Sequence, residues 1–134
     1  MRCLIVDDEG FSREFVATLL KDIAECEEAA TGNEAVAKFT AAQEGGAPFD
    51  LILLDIMMPE MNGHDTAKAI RSIEKERGLD LNNRVKIVML TALNSTQDAM
   101  ESFCSAQSAA YIVKPVSREN LLGVISKLGL SRKK

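Results

Sequence analysis

Two kinds of segment alternate five times along the chain. Short runs rich in leucine and β-branched residues are typical of strands, and longer stretches whose apolar residues recur at intervals of three and four are typical of amphipathic helices. This alternation predicts an α/β fold with a parallel sheet. The strands are predicted at Arg2–Asp7, Glu25–Ala30, Phe49–Leu54, Arg84–Leu90 and Ala109–Val113. The helices are predicted at about Gly10–Ala24, Gly32–Glu44, Gly63–Arg77, Ser95–Gln107 and Ser117–Leu128.

The polarity of the strands predicts their places in the sheet. The first, third and fourth are almost entirely apolar, as in Leu51–Leu54, so both of their faces should be covered by helices. The second strand, Glu25–Ala30, is polar and alternating, which suits an edge position. The first, third and fourth strands are therefore expected at the centre.

The helices carry signals for the face that they bury and for where they begin. The apolar residues of the first helix form a stripe along one side. Arg13 lies among charged residues on the opposite side. Thr31 and Glu34 have the spacing of a capping box at the second helix, and Ser117 can cap the last helix, because hydroxyl oxygens accept hydrogen bonds from first-turn amides. The stripe expected to face the sheet comprises Phe11, Phe15, Val16, Leu19, Leu20 and Ile23.

Composition and charge narrow the class of protein. The 134 residues suit one domain, expected over residues 1–130, with a basic C-terminal tail at 131–134. The formal net charge is −4, and basic residues cluster only at Arg132–Lys134, so direct nucleic-acid binding is not expected. Apolar stretches such as Leu51–Leu54 are far shorter than the ~20 residues of a membrane span, and the start resembles no signal peptide. We expect no membrane association and a cytoplasmic location.

Polar residues follow four of the five predicted strands. In a parallel sheet with right-handed crossovers the strand C-termini share one rim, where open α/β sheets bind ligands. Taken singly, each residue has an ordinary interpretation as a turn, cap or solvated residue. The rim residues are Asp7, Asp8 and Glu9 at the end of the first strand, Asp55 at the end of the third, Thr91 at the end of the fourth, and Lys114 and Pro115 at the end of the fifth.

Convergence of these residues indicates a metal-assisted site. Carboxylates that meet repel one another unless a cation or a proton lies between them. Mg²⁺ accepts oxygen ligands and leaves positions for a phosphate oxygen, whereas the lack of convergent His or Cys residues argues against zinc. A divalent cation, an ammonium and neutral donors together can stabilise the charge of a transferred phosphoryl group.

Four motifs at these strand ends resemble those of response-regulator receiver domains, the family of the chemotaxis receiver, and the resemblance covers essentially the whole chain. It implies a flavodoxin-like, doubly wound five-stranded parallel sheet of order 2-1-3-4-5 with five helices. It also implies a two-component signalling function, with the phosphoryl group supplied by a sensor histidine kinase or a histidine phosphotransfer protein. Such a domain catalyses only its own aspartyl phosphorylation and dephosphorylation. The motifs are Leu4–Glu9, Asp55–Gly63, Thr91–Ala92 and Tyr111–Pro115.

The resemblance implies a role for each acidic residue. Asp55 is the phosphoacceptor. Asp8, Asp55 and the backbone carbonyl of Met57 ligate Mg²⁺, for which Mn²⁺ is a substitute, and Asp7 contributes through a water. Asp55 must be ionised to attack phosphorus, and the cation and the ammonium favour that form against the repulsion of its neighbours.

The remaining roles concern the phosphoryl oxygens and the switch. The resemblance implies that the Thr91 hydroxyl, the Ala92 amide and the Lys114 ammonium hold phosphoryl oxygens, and that the Lys114–Pro115 peptide is cis. A dianionic group draws Thr91 toward the acceptor, and Tyr111 then turns inward. This alters the face made by the fourth helix, fifth strand and fifth helix, which is the expected output face and a candidate for a phosphorylation-linked dimer.

Two departures from the family pattern concern this output face. Gln107 stands where a Gly usually ends the fourth helix, and Val116 replaces the usual Phe after the Lys-Pro pair. Because a Gly accepts the left-handed turn that Gln resists, the shape of the face is expected to differ from that of typical members. The acidic site is unaffected.

Three other functions fit the sequence less well. An aspartate-nucleophile phosphatase needs a second Asp two residues after the first, which neither Asp7–Glu9 nor Asp55–Met57 provides. A flavin-binding protein of similar topology needs a phosphate cradle in the first loop, which here is acidic. A receiver that acts only as a binding module is disfavoured by the complete set of site residues. The sequence leaves open the cognate kinase, the output partner, and whether the chain is a stand-alone receiver, a phosphorelay intermediate or part of a larger protein.

Overall fold

The chain forms a five-stranded parallel sheet flanked by helices. A computed structural model describes residues 1–56, 58, 61–80, 83–91 and 110–130. The strands are β1 (Arg2–Val6), β2 (Glu25–Ala29), β3 (Leu51–Asp55), β4 (Lys86–Thr91) and β5 (Ala110–Val113). The helices within these residues are α1 (Gly10–Leu20), α2 (Gly32–Glu44), α3 (Gly63–Glu76) and α4 (Arg118–Lys127). The helix predicted at Ser95–Gln107 lies outside the described residues.

The strand order is β2-β1-β3-β4-β5, and every neighbouring pair is parallel. The predicted sheet and order are therefore confirmed, with the polar β2 at one edge. Successive residues of a strand point to opposite faces of the sheet, and each face contributes to its own apolar core. One core joins Leu4, Ile52 and Met89 to α2 and α3 through Phe39 and Ile70. The other joins Ile5, Leu53 and Val88 to α1 and α4 through Leu20 and Ile125.

Helix α1 departs from its prediction at both ends. It ends at Leu20, four residues before the expected end, because the chain turns there to enter β2; Ile23 and Ala24 are nevertheless buried in that turn. At the other end Phe11 is 83% exposed and Phe15 46% exposed. The prediction that these two face the sheet is wrong, because the apolar stripe is wider than the surface against which the helix packs. Both aromatic side chains remain on the surface.

Strand β3 begins two residues later than predicted. Phe49 is buried, but the ladder to β1 starts at Leu51. Asp50, just before the strand, bonds to the strands on either side. Its amide donates to the Arg2 carbonyl of β1, and its carbonyl accepts from the Lys86 amide of β4. Its carboxylate also accepts from the Arg2 amide at 2.8 Å. The strand ends on Asp55, which is part of the ladder.

Side-chain caps fix the starts of three helices. Thr31 Oγ1 accepts from the amide of Glu34 at 3.1 Å, and Ser117 Oγ accepts from the amide of Asn120 at 3.1 Å. Both predicted caps are therefore confirmed. Asn62 caps α3 by accepting from the amide of Asp65 at 3.0 Å, which had not been predicted. Each such cap contributes about 1 kcal/mol to stability.

A buried carboxylate joins the end of α3 to the start of β4. Glu74 is fully buried, and its oxygens accept from the Val85 amide at 2.7 Å and from the Arg71 guanidinium at 2.7 Å. Arg71 also donates to the carbonyl of Val85 at 2.9 Å. The Arg71–Glu74 ion pair therefore satisfies both the amide and the carbonyl of Val85, the residue just before β4.

Candidate functional site

Three carboxylates meet at the C-terminal rim of the sheet. Asp7 and Asp8 follow β1, and Asp55 ends the adjacent strand β3. One oxygen from each of the three lies within 4.8 Å of the others. Asp7 is 2% exposed and Asp55 6%, whereas Asp8 is exposed. The structure thus brings together three of the predicted site residues from two distant parts of the sequence.

The position of Asp7 is fixed by the surrounding main chain. Its amide donates to the carbonyl of Ala29 at 3.1 Å, which extends the pairing of β1 with β2 by one residue. Its Oδ1 accepts from the amide of Glu9 at 2.9 Å. These bonds close a tight turn after β1, so that Asp7 and Asp8 both stay at the rim.

Lys114 lies across from the acidic residues. Its Nζ is 3.3 Å from Asp7 Oδ2 and 3.5 Å from Asp55 Oδ1. Partial burial by itself lowers the pKa of Lys114, but the charges of Asp55 and Asp7 and their hydrogen bonds outweigh it, so the net pKa is raised. The side chain is therefore a stable ammonium. The Lys114–Pro115 peptide is cis, as the resemblance implied.

The chain after Asp55 folds back tightly on the strand end. The Ile56 amide donates to the carbonyl of Leu90 at 3.1 Å, and the Gly63 amide donates to the carbonyl of Ile56 at 3.0 Å. A Cβ at Gly63 would lie 2.6 Å from the Asp55 carbonyl oxygen and 2.8 Å from Ile56 Cα. Glycine is therefore required for α3 to start this close to the acidic cluster. Met57 lies outside the described residues.

The predicted switch residues occupy the adjacent strands β4 and β5. Thr91 ends β4 and is 1% exposed. It lies one position beyond the residue that pairs with Asp55, and its carbonyl accepts from the Lys114 amide at 2.7 Å. Tyr111 lies on the edge strand β5 and is 37% exposed. Ala92, which was predicted to hold a phosphoryl oxygen, lies outside the described residues.

The donor set of this rim fits a hard divalent cation. The three converging side chains offer only carboxylate oxygens, which are the ligands that Mg²⁺ prefers. Two of the three are nearly buried, so their mutual repulsion is poorly screened by water. The Lys114 ammonium neutralises part of this charge, and a bound divalent cation would neutralise the rest.

Arg13 is a site neighbour that the sequence pattern missed. It was predicted on the solvent side of the first helix, yet its side chain is only 19% exposed. One guanidinium nitrogen donates to the carbonyl oxygen of Asp7 at 2.7 Å. Its place at the start of α1, a helix that begins three residues after Asp7, is a signal that could have indicated this contact.

Comparison with known proteins identifies the family to which this fold belongs. The family model of the response regulator receiver domain matches residues 3–126. The chain belongs to this family. Receiver domains are signalling domains of two-component systems, so this receiver is a signalling domain and not a classical enzyme. Within the part of the chain that the structure describes, no helix has the length and apolar character of a membrane span.

The relatives include proteins of very different length. The receiver is 30% identical to the two-component response regulator ORR41 of Oryza sativa subsp. japonica, over 98% of this chain and 96% of that protein. It is 34% identical to the sensor protein GacS of Pseudomonas syringae pv. syringae over 94% of this chain, but spans only 13% of that protein. It spans 7% of the hybrid signal transduction histidine kinase L of Dictyostelium discoideum, at 32% identity.

Two solved structures are similar over nearly the whole chain. The receiver domain of the histidine kinase CKI1 from Arabidopsis thaliana, complexed with Mg²⁺, has a TM-score of 0.80 and 29% identity, with 95% of this chain and 90% of that chain covered. The receiver domain of Ssk1 from Saccharomyces cerevisiae, crystallised with the phosphotransfer protein Ypd1, has a TM-score of 0.80 and 30% identity, with 96% and 88% covered.

Proposed function

We propose that this receiver accepts a phosphoryl group on Asp55 with Mg²⁺ bound beside it. Asp8, Asp55 and the backbone carbonyl of Met57 would hold the cation, and Asp7 would contact it through a water; Mn²⁺ would serve as a substitute. The observation that carries the proposal is the meeting of three carboxylates with one ammonium at the sheet rim. The Mg²⁺ complex of the CKI1 receiver supports the choice of cation.

The chain's own residues supply most of the chemistry. An oxygen of the ionised Asp55 attacks phosphorus in the phosphohistidine of the donor, the P–N bond breaks, and the electron pair leaves with the imidazole nitrogen. The Lys114 ammonium holds a phosphoryl oxygen, and the Thr91 hydroxyl and the Ala92 amide hold others. Bound Mg²⁺ would neutralise charge on the transferred group. In this proposal the domain catalyses only this transfer and the later hydrolysis of the aspartyl phosphate.

A groove beside the acidic cluster supports docking of a histidine-bearing donor. It has a volume of about 410 Å³ and lies between α1 and the segment after β5, with Asp7 and Lys114 at its edge. Phe11 and Phe15, the two aromatic residues that α1 leaves exposed, line it together with Val116. An apolar surface next to the acceptor suits a sensor kinase or phosphotransfer protein, and the Ssk1 receiver was crystallised with such a protein.

Signalling would follow from the movement of Thr91. A phosphoryl group on Asp55 gives the buried Thr91 hydroxyl a charged partner, and its approach to Asp55 would let Tyr111 turn inward from its half-exposed position. Tyr111 is the single tyrosine and the chain contains no tryptophan, so its fluorescence reports on this step. The changed face around β5 would then bind an output partner or a second phosphorylated copy.

The test is phosphorylation by a small phosphodonor followed by intact mass spectrometry. Acetyl phosphate with Mg²⁺ should add one phosphoryl group to the wild type and to Asp65→Asn, which alters an exposed aspartate on α3, and none to Asp55→Asn. Chelation of Mg²⁺ should prevent the addition. Equal phosphorylation of Asp55→Asn and wild type, or an unmodified wild type with Mg²⁺ present, would contradict the proposal. A change in Tyr111 fluorescence should accompany the addition in the wild type.

A further inference from the structure

The geometry points to Arg13 as a positioning residue that holds the peptide between Asp7 and Asp8, so that the Asp8 carboxylate is directed toward Asp55 before a cation binds. This inference rests on the proposed Mg²⁺-dependent function and adds to it a residue outside the ligand set. The Arg13 side chain donates to the Asp7 carbonyl oxygen and to Glu28, which are not among the three converging carboxylates. It acts on the main chain that carries two of the three carboxylates.

Arg13 makes two contacts that lock it in place. Its terminal nitrogen donates to the Asp7 carbonyl oxygen at 2.7 Å, and its Nε donates to Glu28 Oε1 on β2 at 3.2 Å. A planar guanidinium that binds two acceptors at once has little freedom to rotate.

The bond to the carbonyl completes the fixation of Asp7. Its amide is held by Ala29, one carboxylate oxygen by the Glu9 amide and the other by Lys114. Because the peptide unit is planar, fixing the Asp7 carbonyl also fixes the plane through which the chain continues to Asp8. The Asp8 side chain is exposed, so the backbone largely sets its direction. Loss of the Arg13 bond should therefore affect Asp8 more than the other two carboxylates.

Charge and positioning predict opposite outcomes when Arg13 is removed. The guanidinium is a cation close to the acidic cluster, so by charge alone its loss should strengthen Mg²⁺ binding. If Arg13 positions the Asp8 peptide, its loss should weaken Mg²⁺ binding, because groups that orient metal ligands typically contribute about 10-fold to 100-fold in affinity. The sign of the change therefore separates the two roles.

The experiment compares Arg13→Met with Lys38→Met. Lys38 lies on α2 and donates to the backbone carbonyl of Glu28, so its replacement removes the same charge next to the same strand. Mg²⁺ affinity is measured by isothermal titration calorimetry, and stability without Mg²⁺ is measured by urea unfolding. We expect about tenfold weaker Mg²⁺ binding in Arg13→Met and unchanged or slightly tighter binding in Lys38→Met. Arg13→Lys, which keeps the charge and a donor, should recover part of the loss.

A second readout separates positioning from general damage to the fold. Phosphorylation of Arg13→Met by acetyl phosphate should need more Mg²⁺ than the wild type, yet approach the wild-type rate when Mg²⁺ is saturating. If Arg13→Met does not fold, Arg13→Gln takes its place, because it also removes the positive charge and the bond to the Asp7 carbonyl but keeps a polar side chain; about tenfold weaker Mg²⁺ binding is again expected.

The outcomes are distinguishable. Arg13→Met that binds Mg²⁺ as tightly as Lys38→Met, or an equal loss in both variants, overturns the positioning role and leaves the proposed function intact. For the replacement variant, Arg13→Gln with unchanged or tighter Mg²⁺ binding has the same meaning. A wild type that fails to bind Mg²⁺ removes the proposed function and this inference together.

Discussion

The ammonium nitrogen of Lys114 lies 3.5 Å from Oδ1 of Asp55. Asp55 ends β3 and Lys114 follows β5. These two strands are not neighbours, because β4 lies between them. The lysine side chain therefore reaches across the C-terminal end of a strand to the candidate phosphoacceptor. This contact connects the ends of β3 and β5. Lys114 is therefore a counter-charge to Asp55 and also a candidate catalytic residue.

Lys114→Met should separate these two contributions. Without the ammonium, two nearly buried carboxylates lose their counter-charge, so stability in the absence of Mg²⁺ should fall. Phosphoryl uptake should slow by about 100-fold, because a donor to the transferred group is lost. Urea unfolding and the rate of mass gain with acetyl phosphate measure the two effects. Lys127→Met, on the exposed side of α4, should change neither; a Lys114→Met protein that is phosphorylated at the wild-type rate would exclude Lys114 from the reaction.

Asp8→Asn should make the protein more stable without Mg²⁺ and insensitive to Mg²⁺. Removing one of three converging carboxylates relieves repulsion in the unliganded site. The wild type should gain stability from Mg²⁺ by linkage, about 2.7 kcal/mol at a hundredfold excess over the dissociation constant. Thermal unfolding with and without Mg²⁺ checks both statements. Asp22→Asn, in the exposed turn after α1, serves as the control and should retain the full response; a normal Mg²⁺ response in Asp8→Asn would argue against Asp8 as a ligand.

Gly63→Ala should distort the end of β3 at Asp55. The added Cβ would meet the Asp55 carbonyl oxygen at 2.6 Å, and relief of such a clash by backbone movement costs about 1–3 kcal/mol. Gly123→Ala is the matched control, because a Cβ at this helical position meets nothing within 4 Å and should stabilise α4 by about 0.5–1 kcal/mol. Urea unfolding measures the free energies. Phosphorylation should be slowed only in Gly63→Ala, and equal stabilities of the two variants would contradict the packing described.

Glu74→Ala should be the most destabilising of these changes while leaving the acidic site chemically intact. The substitution removes the carboxylate that accepts from the Arg71 guanidinium and from the buried Val85 amide. Removal of one partner of a buried ion pair costs about 3–5 kcal/mol. Glu76→Ala, at an exposed position of the same helix, should stay within about 0.5 kcal/mol of the wild type. Chemical denaturation tests the difference. A loss below about 1 kcal/mol would mean that the contact contributes little.

Most of the fold was predictable because its signals are local. Helix α2 begins and ends where predicted, since Thr31 caps it and Gly45 follows its last residue. The errors came from tertiary packing. Nothing in the periodicity of α1 shows how much of an apolar stripe the sheet can cover, so Phe11 was assigned to the core. Phe49 was placed in a strand because burial and strand pairing look alike in a sequence.

The candidate site was predictable in composition but not in its supporting contacts. Asp7, Asp55 and Lys114 follow apolar runs that must be strands, and the parallel topology brings strand ends together. Arg13 could not be assigned in this way, because a charged residue on the polar side of a helix is normally solvated. Its bond to a main-chain carbonyl depends on the tilt and height of α1 above the rim, which only the assembled structure provides.

The amide of Lys114 donates to the carbonyl of Thr91 while its side chain lies against Asp55. Lys114 is thus bonded by its backbone to the end of β4 and by its side-chain charge to Asp55. A change in the charge of Asp55 would alter its attraction to a side chain whose own backbone is bonded to β4. Lys114 therefore connects the ends of β3, β4 and β5 within a single residue.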